Sequence, residues 1–189
     1  MNYVILDSSS HVLLACYLAI SCRSDLTKGT IANRVNYSFL LIALGMGLGE
    51  SALEFCDGLG VTSTNDLGTL TLNGAFSSGF LRAVLGALAC FGLTLVCWRY
   101  GNMGGADVKM ATVIGAFLGP YLGLIVIAIC HTLALATVVF DLVWRYRSAS
   151  RLGVVPSRQQ MQPDLQRRVP MAGFYAIAVM GVLIMEAFL

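Results

Sequence analysis

The sequence predicts an all-α, polytopic membrane protein of about six transmembrane helices, with both termini on the periplasmic side. Three observations carry that prediction: the composition, the length of the apolar runs, and the placement of the cations. The chain has 189 residues, of which 57% are hydrophobic and 12% charged, and its mean hydropathy is +0.77. Soluble domains carry about 25% charged residues, so most of this chain is built to meet lipid. A formal net charge of +2 is too small to suggest a nucleic-acid partner.

A spanning helix needs about 20 mostly apolar residues, because each adds about 1.5 Å across a hydrocarbon layer of about 30 Å. Spans are expected at about 3–22, 35–49, 79–98, 106–119, 121–144 and 170–189, all within one transmembrane domain covering 1–189. The clean apolar part of the first begins only at Val12, so Asp7 to His11 are expected at the interface. The apolar run from Met110 to Trp144 is too long for one span, and Gly119-Pro120 supplies the break, since proline ends or kinks the helix before it. The resulting fourth helix is short, which implies local thinning of the bilayer or polar ends tucked into a protein-lined cavity. The N-terminus has no basic region ahead of its apolar run and no A-x-A-like site, so the first helix is expected to remain.

The cations orient the chain. Arg23, Lys28 and Arg34 follow the first helix, and Arg99 and Lys109 flank the loop after the third. Arg145, Arg147, Arg151, Arg158, Arg167 and Arg168 fill the stretch 145–169, and only Arg82 falls elsewhere. Under the positive-inside rule these loops face the cytoplasm, and the polar loop 50–78, with Glu50, Glu54, Asp57 and Asp66, faces the periplasm. The basic loop can also meet anionic lipid head groups, though fixing orientation accounts for it without that.

The six cysteines, Cys16, Cys22, Cys56, Cys90, Cys97 and Cys130, form no CxxC pair and have no histidine at zinc-ligand spacing. They read as packed or lipid-facing thiols, and no metal or cofactor is expected. His11 and His131, lying in apolar runs, read as packed or interfacial residues, and Asp141 and Glu186 as helix-end residues near the head groups.

Ionisable groups at the edge of a span are costly and therefore functional candidates. Asp25 lies just past the expected first helix and Asp107 begins the fourth, both at the cytosolic boundary. Two carboxylates at one depth can share a proton, one acting as base on water and the other as acid toward a scissile carbonyl. Topology alone leaves open catalysis, ordinary interfacial carboxylates, and an ion-binding pair in a small ion-coupled transporter component.

The local sequences narrow the choice. Met103-Gly104-Gly105-Ala106-Asp107-Val108-Lys109 resembles the GxGD-x-K motif of the type IV prepilin peptidases. Asp25 to Asn33 resembles the family's D-x5-IPN stretch, with Ile31 and Asn33 at the expected distances from Asp25. Arg168-Val169-Pro170-Met171-Ala172-Gly173 resembles the opening of its last helix. The resemblance implies an aspartic endopeptidase of the inner membrane, with Asp25 and Asp107 as the catalytic pair on the cytoplasmic face. By length the chain is similar to the short, tight-adherence type, which serves Flp-like prepilins and pseudopilins. Longer relatives insert a zinc-binding domain ahead of the first aspartate, and their methyl transfer goes with it; here only Arg23 and Ser24 separate Cys22 from Asp25.

The same resemblance implies that Gly104 and Gly105 let the backbone pass close to substrate, helped by wide φ/ψ freedom. Lys109 either supports that loop, pairs with a phospholipid, or simply snorkels. Asn33 reads as the cap of the second helix in preference to a substrate contact. Two departures stand out. Ala106 replaces a glycine and would be strained at positive φ, but tolerated if only small size is required; Ala32 replaces a proline and loosens the approach to the second helix. Intramembrane proteases of the presenilin kind, which carry a Tyr-Asp motif, fit less well because Ser24 precedes Asp25. A transporter would favour mid-membrane carboxylates and an internal repeat, and neither is evident. The sequence assigns no oligomeric state.

Overall fold

A computed structural model describes residues 2–28, 30–60, 79–100, 103–151 and 171–188. They form α1 (Asn2–Lys28), α2 (Asn33–Gly60), α3 (Gly79–Tyr100), α4 (Gly105–Arg151) and α5 (Met171–Phe188), with no strand among the described residues. Two helices, Gly79–Tyr100 and Gly105–Ser148, are long and apolar enough to cross a membrane, and Met171–Glu186 is a shorter apolar helix. The loop residues 61–78 and most of the basic stretch, 152–170, lie outside the described residues.

Several helices outlast their apolar runs. α1 continues past Cys22 to Lys28, so Asp25 sits in its last turns and not beyond it. α2 continues past Gly49 to Gly60, and α4 past Trp144 to Arg151. Polarity ends a membrane span, but it does not end a helix, whose backbone bonds form in water as well as in lipid. Hydroxyls at these helix ends bond back to the preceding turn, Thr27 Oγ1 to the Arg23 carbonyl at 2.7 Å and Ser51 Oγ to the Gly47 carbonyl at 3.0 Å.

α4 is broken where the sequence places the break. Gly119 has φ 81° and ψ 178°, a region essentially reserved for glycine, and Pro120 follows. The turn is sharp enough to fold the two arms of α4 onto each other. A Cβ on Gly123 would lie 3.0 Å from the Gly115 Cα, although a straight helix would hold residues eight apart at about 12 Å. α3 packs against this hairpin through Gly86, whose missing side chain admits the Gly115 carbonyl and, at 2.8 Å, the Gly119 backbone. Close approach through small residues is the usual way to gain packing where lipid removes the hydrophobic drive.

The first arm of α4, residues 105–118, is the centre of the bundle. Met110, Ala111, Val113, Ile114, Ala116, Phe117 and Leu118 are all buried in it. Around it lie Leu14, Tyr17 and Leu18 from α1, Ala43 from α2, Cys90 from α3, and Tyr175, Val179 and Val182 from α5. Its shortness therefore demands no thinning of the bilayer, because protein and not lipid surrounds it. The Arg82 side chain, the cation that lies outside the basic stretches of the sequence, packs over Gly119 at this turn; a Cβ there would meet its Cγ at 2.9 Å.

Candidate active site

Three chain segments converge at the other end of the first arm. The last turns of α1 bring Asp25, the start of α4 brings Asp107, and the start of α5 brings a backbone amide. The Ala172 N–H donates to Asp25 Oδ2 at 3.4 Å. Amides in a helix's first turn lack an intrahelical acceptor and lie at the positive end of its dipole, so a carboxylate suits that position. The opening of the last helix thus contributes an orienting donor for Asp25.

Asp107 lies in the first turn of α4, and its N–H donates to the Gly104 carbonyl at 3.0 Å. The Gly104 backbone in turn hydrogen-bonds its carboxylate, and Asp25 is near enough for its charge to be felt there. The fold therefore sets the two carboxylates singled out by sequence within electrostatic range of each other.

The glycines preceding Asp107 differ in their surroundings. A Cβ on Gly104 would stand 2.9 Å from Asp107 Oδ2, whereas one on Gly105 would make only an ordinary contact, 4.0 Å from Trp98 Nε1. Neither has positive φ, so backbone freedom is not what they supply; Gly104 supplies room for the carboxylate. Ala106 is helical and no described non-glycine residue has positive φ, so alanine is unstrained there.

Asn33 is not the cap expected of it. The capping position belongs to Ala32, whose carbonyl accepts from the Val35 N–H at 3.0 Å and the Asn36 N–H at 3.4 Å. Asn33 instead presents Oδ1 to the Lys109 ammonium at 2.6 Å, tying the start of α2 to the start of α4. The side chain of Lys109, two residues past Asp107, leaves the Asp107 side of the helix and reaches this neighbour. Ser24 Oγ donates to the Thr30 carbonyl at 2.7 Å, and Ile31 is buried, closing the turn between α1 and α2. Deeper in the bundle, the Tyr17 hydroxyl donates to Asn36 Oδ1 at 2.7 Å and links the same two helices.

Sequence reading missed the Ala172 amide, because a main-chain donor leaves no residue-type signal. It also missed the Tyr17–Asn36 bond, although a tyrosine and an asparagine in apolar runs need partners. A cavity of about 20 Å³ lies at the opposite end, lined by Ser10, Glu50, Arg82 and Phe117 among others. It holds about one water and is no peptide site.

A profile of the type IV leader peptidase family matches residues 12–139, which is more than half of the chain and includes both aspartates, the first arm of α4 and the second as far as Val139. Compared with individual proteins, the chain matches no curated sequence and no solved structure.

Proposed function

Because the chain belongs to the type IV leader peptidase family, we propose that it removes the leader peptide of Flp-type prepilins or pseudopilins by a two-aspartate mechanism. The family assigns a peptidase, and the apolar helices suit a membrane protein. The observation that supports the finer reading is the meeting of Asp25 and Asp107, from α1 and α4, within electrostatic reach of each other. In this reading the two carboxylates hold one proton between them during the reaction. One takes a proton from water, and that water attacks the scissile carbonyl. The other donates to the carbonyl oxygen; as the intermediate collapses, the first passes the proton taken from water to the departing amine and the second recovers its own from the hydroxyl.

The remaining site residues position this pair. Gly104 leaves space for the Asp107 carboxylate, and Ala106 keeps that turn helical. The Lys109–Asn33 bond clamps it against α2, and Ala172 orients Asp25. In this reading the chain is a six-span protein of the inner membrane with both termini in the periplasm and the site at the cytoplasmic face, and the distribution of cations along the sequence supports that orientation. Membrane lipid surrounds the bundle in this reading.

Co-expression with a Flp-type prepilin, in cells lacking other prepilin peptidases, tests this reading. The prepilin should shift to its mature size on a gel, with a free, unmethylated N-terminal amine by mass spectrometry. Asp25→Asn and Asp107→Asn should each leave it uncut while still inserting. Cleavage that persists in either variant contradicts the mechanism.

A further inference from the structure

The two helices that carry the aspartates meet each other only sparsely. α1 packs more on α2 and on α5 than on α4, and α2 packs on both α1 and α4. The separation of Asp25 and Asp107 is therefore set by the helices that stand between their carriers. α5 contributes the Ala172 amide to Asp25. α2 contributes two asparagines, Asn33 and Asn36, which are three residues apart and so neighbours on its surface. Asn33 Oδ1 accepts from the Lys109 ammonium of α4 at 2.6 Å, two residues past Asp107. Asn36 Oδ1 accepts from the Tyr17 hydroxyl of α1 at 2.7 Å. Tyr17 is eight residues before Asp25, about 12 Å along the same helix.

Packing alone does not call for this polar pair. Tyr17 and Asn36 are both buried, and Asn36 Nδ2 has no hydrogen-bond partner among the described residues. A buried donor without a partner costs stability, whereas two apolar side chains of the same shape would fill the space without that cost. The ring contact needs no hydroxyl either: the Tyr17 ring lies against Phe39 of α2, with centroids 5.1 Å apart. What the bond adds is direction. It fixes the height and rotation of α1 against α2, which apolar contacts specify less tightly.

We propose that Tyr17 and Asn36 are positioning residues for Asp25, and that α2, through Asn36 and Asn33, spaces the two aspartate-bearing helices. The joints act in series. α1 carries Asp25 and is fixed to α2 at Asn36; α2 is fixed at Asn33 to α4, which carries Asp107. Breaking either joint releases the same separation.

This inference rests on Asp25 and Asp107 being the catalytic pair, and its test separates the two ideas. The variant Tyr17→Phe with Asn36→Leu removes the bond and leaves no polar atom of either side chain behind. Its melting temperature in detergent should equal or exceed that of the parent, while kcat falls about tenfold at unchanged KM. A fall in kcat matched by a fall in melting temperature would make the pair a stability element and overturn the proposal. Spin labels on unnatural residues at the exposed positions Leu26 of α1 and Leu135 of α4 read the spacing without reference to activity. Their distance distribution should widen in the double variant, and an unchanged distribution overturns the proposal. Should that variant not fold, Tyr17→Phe alone, which keeps the ring against Phe39, carries the same readouts. Adding Asn33→Ala should cost little further activity, since the joints are in series; losses that multiply would show independent roles and overturn the spacing by α2. Cleavage by Asp25→Asn would overturn the catalytic reading instead, and would leave the distance result standing.

Discussion

The two arms of α4 have much the same apolar composition but opposite surroundings. The first arm is enclosed by every other helix; Met110, Ala111 and Ile114 have no exposure at all. In the second arm, burial stops at Cys130, and from there Leu135, Phe140 and Trp144 are each about two-thirds exposed, at 64%, 68% and 64%. Hydropathy cannot tell a helix that faces lipid from one that faces protein, because both exclude water. What distinguishes them is the small residues: Gly115 and Gly119 on the first arm and its turn accept α3, while no glycine follows Gly123 on the second. The enclosed arm is the one that carries Asp107, and a carboxylate that must hold one geometry belongs on the element with least freedom to move.

This contrast sets an order of sensitivity. Gly119→Ala should do the most damage. It forces a side chain into a conformation that costs about 1–3 kcal/mol for any other residue, and its Cβ lands 2.9 Å from Arg82 Cγ. Loss of folded protein, read by thermal unfolding in detergent, is the expected result, and an unchanged melting temperature would mean the hairpin does not depend on that turn. Gly104→Ala should be milder and more specific. Its Cβ displaces a flexible carboxylate, so stability stays near that of the parent while cleavage falls about tenfold to a hundredfold. Gly105→Ala, with only an ordinary contact to Trp98, should stay close to full activity; equal losses in both would point to substrate passage instead of room for Asp107. Phe140→Ala on the exposed arm should be smallest, within about 0.5 kcal/mol in unfolding and without effect on cleavage. A large loss there would reveal a partner for that arm.

Much of this was legible from the chain alone. The helical class and the break at Gly119-Pro120 follow from apolar run length and proline chemistry, and the proposal of Asp25 and Asp107 as a pair rests on the cost of charge at a span edge together with the motifs around them. Helix ends were not legible, because Arg23–Lys28 and Glu50–Gly60 change polarity without losing the capacity to be helical. Nor was the choice between Asn33 as a cap and Asn33 as a partner of Lys109, since that depends on which distant element arrives beside it. The surroundings of Gly104 were half visible: the glycine shows in the motif, but the Asp107 oxygen standing where a Cβ would lie requires the folded turn.

The central claim is that Asp25 and Asp107 work as one unit, and a double-mutant kinetic cycle tests it most directly. Cleavage of a Flp-type prepilin should be measured for Asp25→Asn, Asp107→Asn and the double variant, each confirmed as inserted and folded. Residues that act as a unit are grossly non-additive, so each single change should cost about as much as both together, on the order of 10³-fold or more. Losses that multiply in the double variant, or substantial cleavage by either single one, would contradict the account.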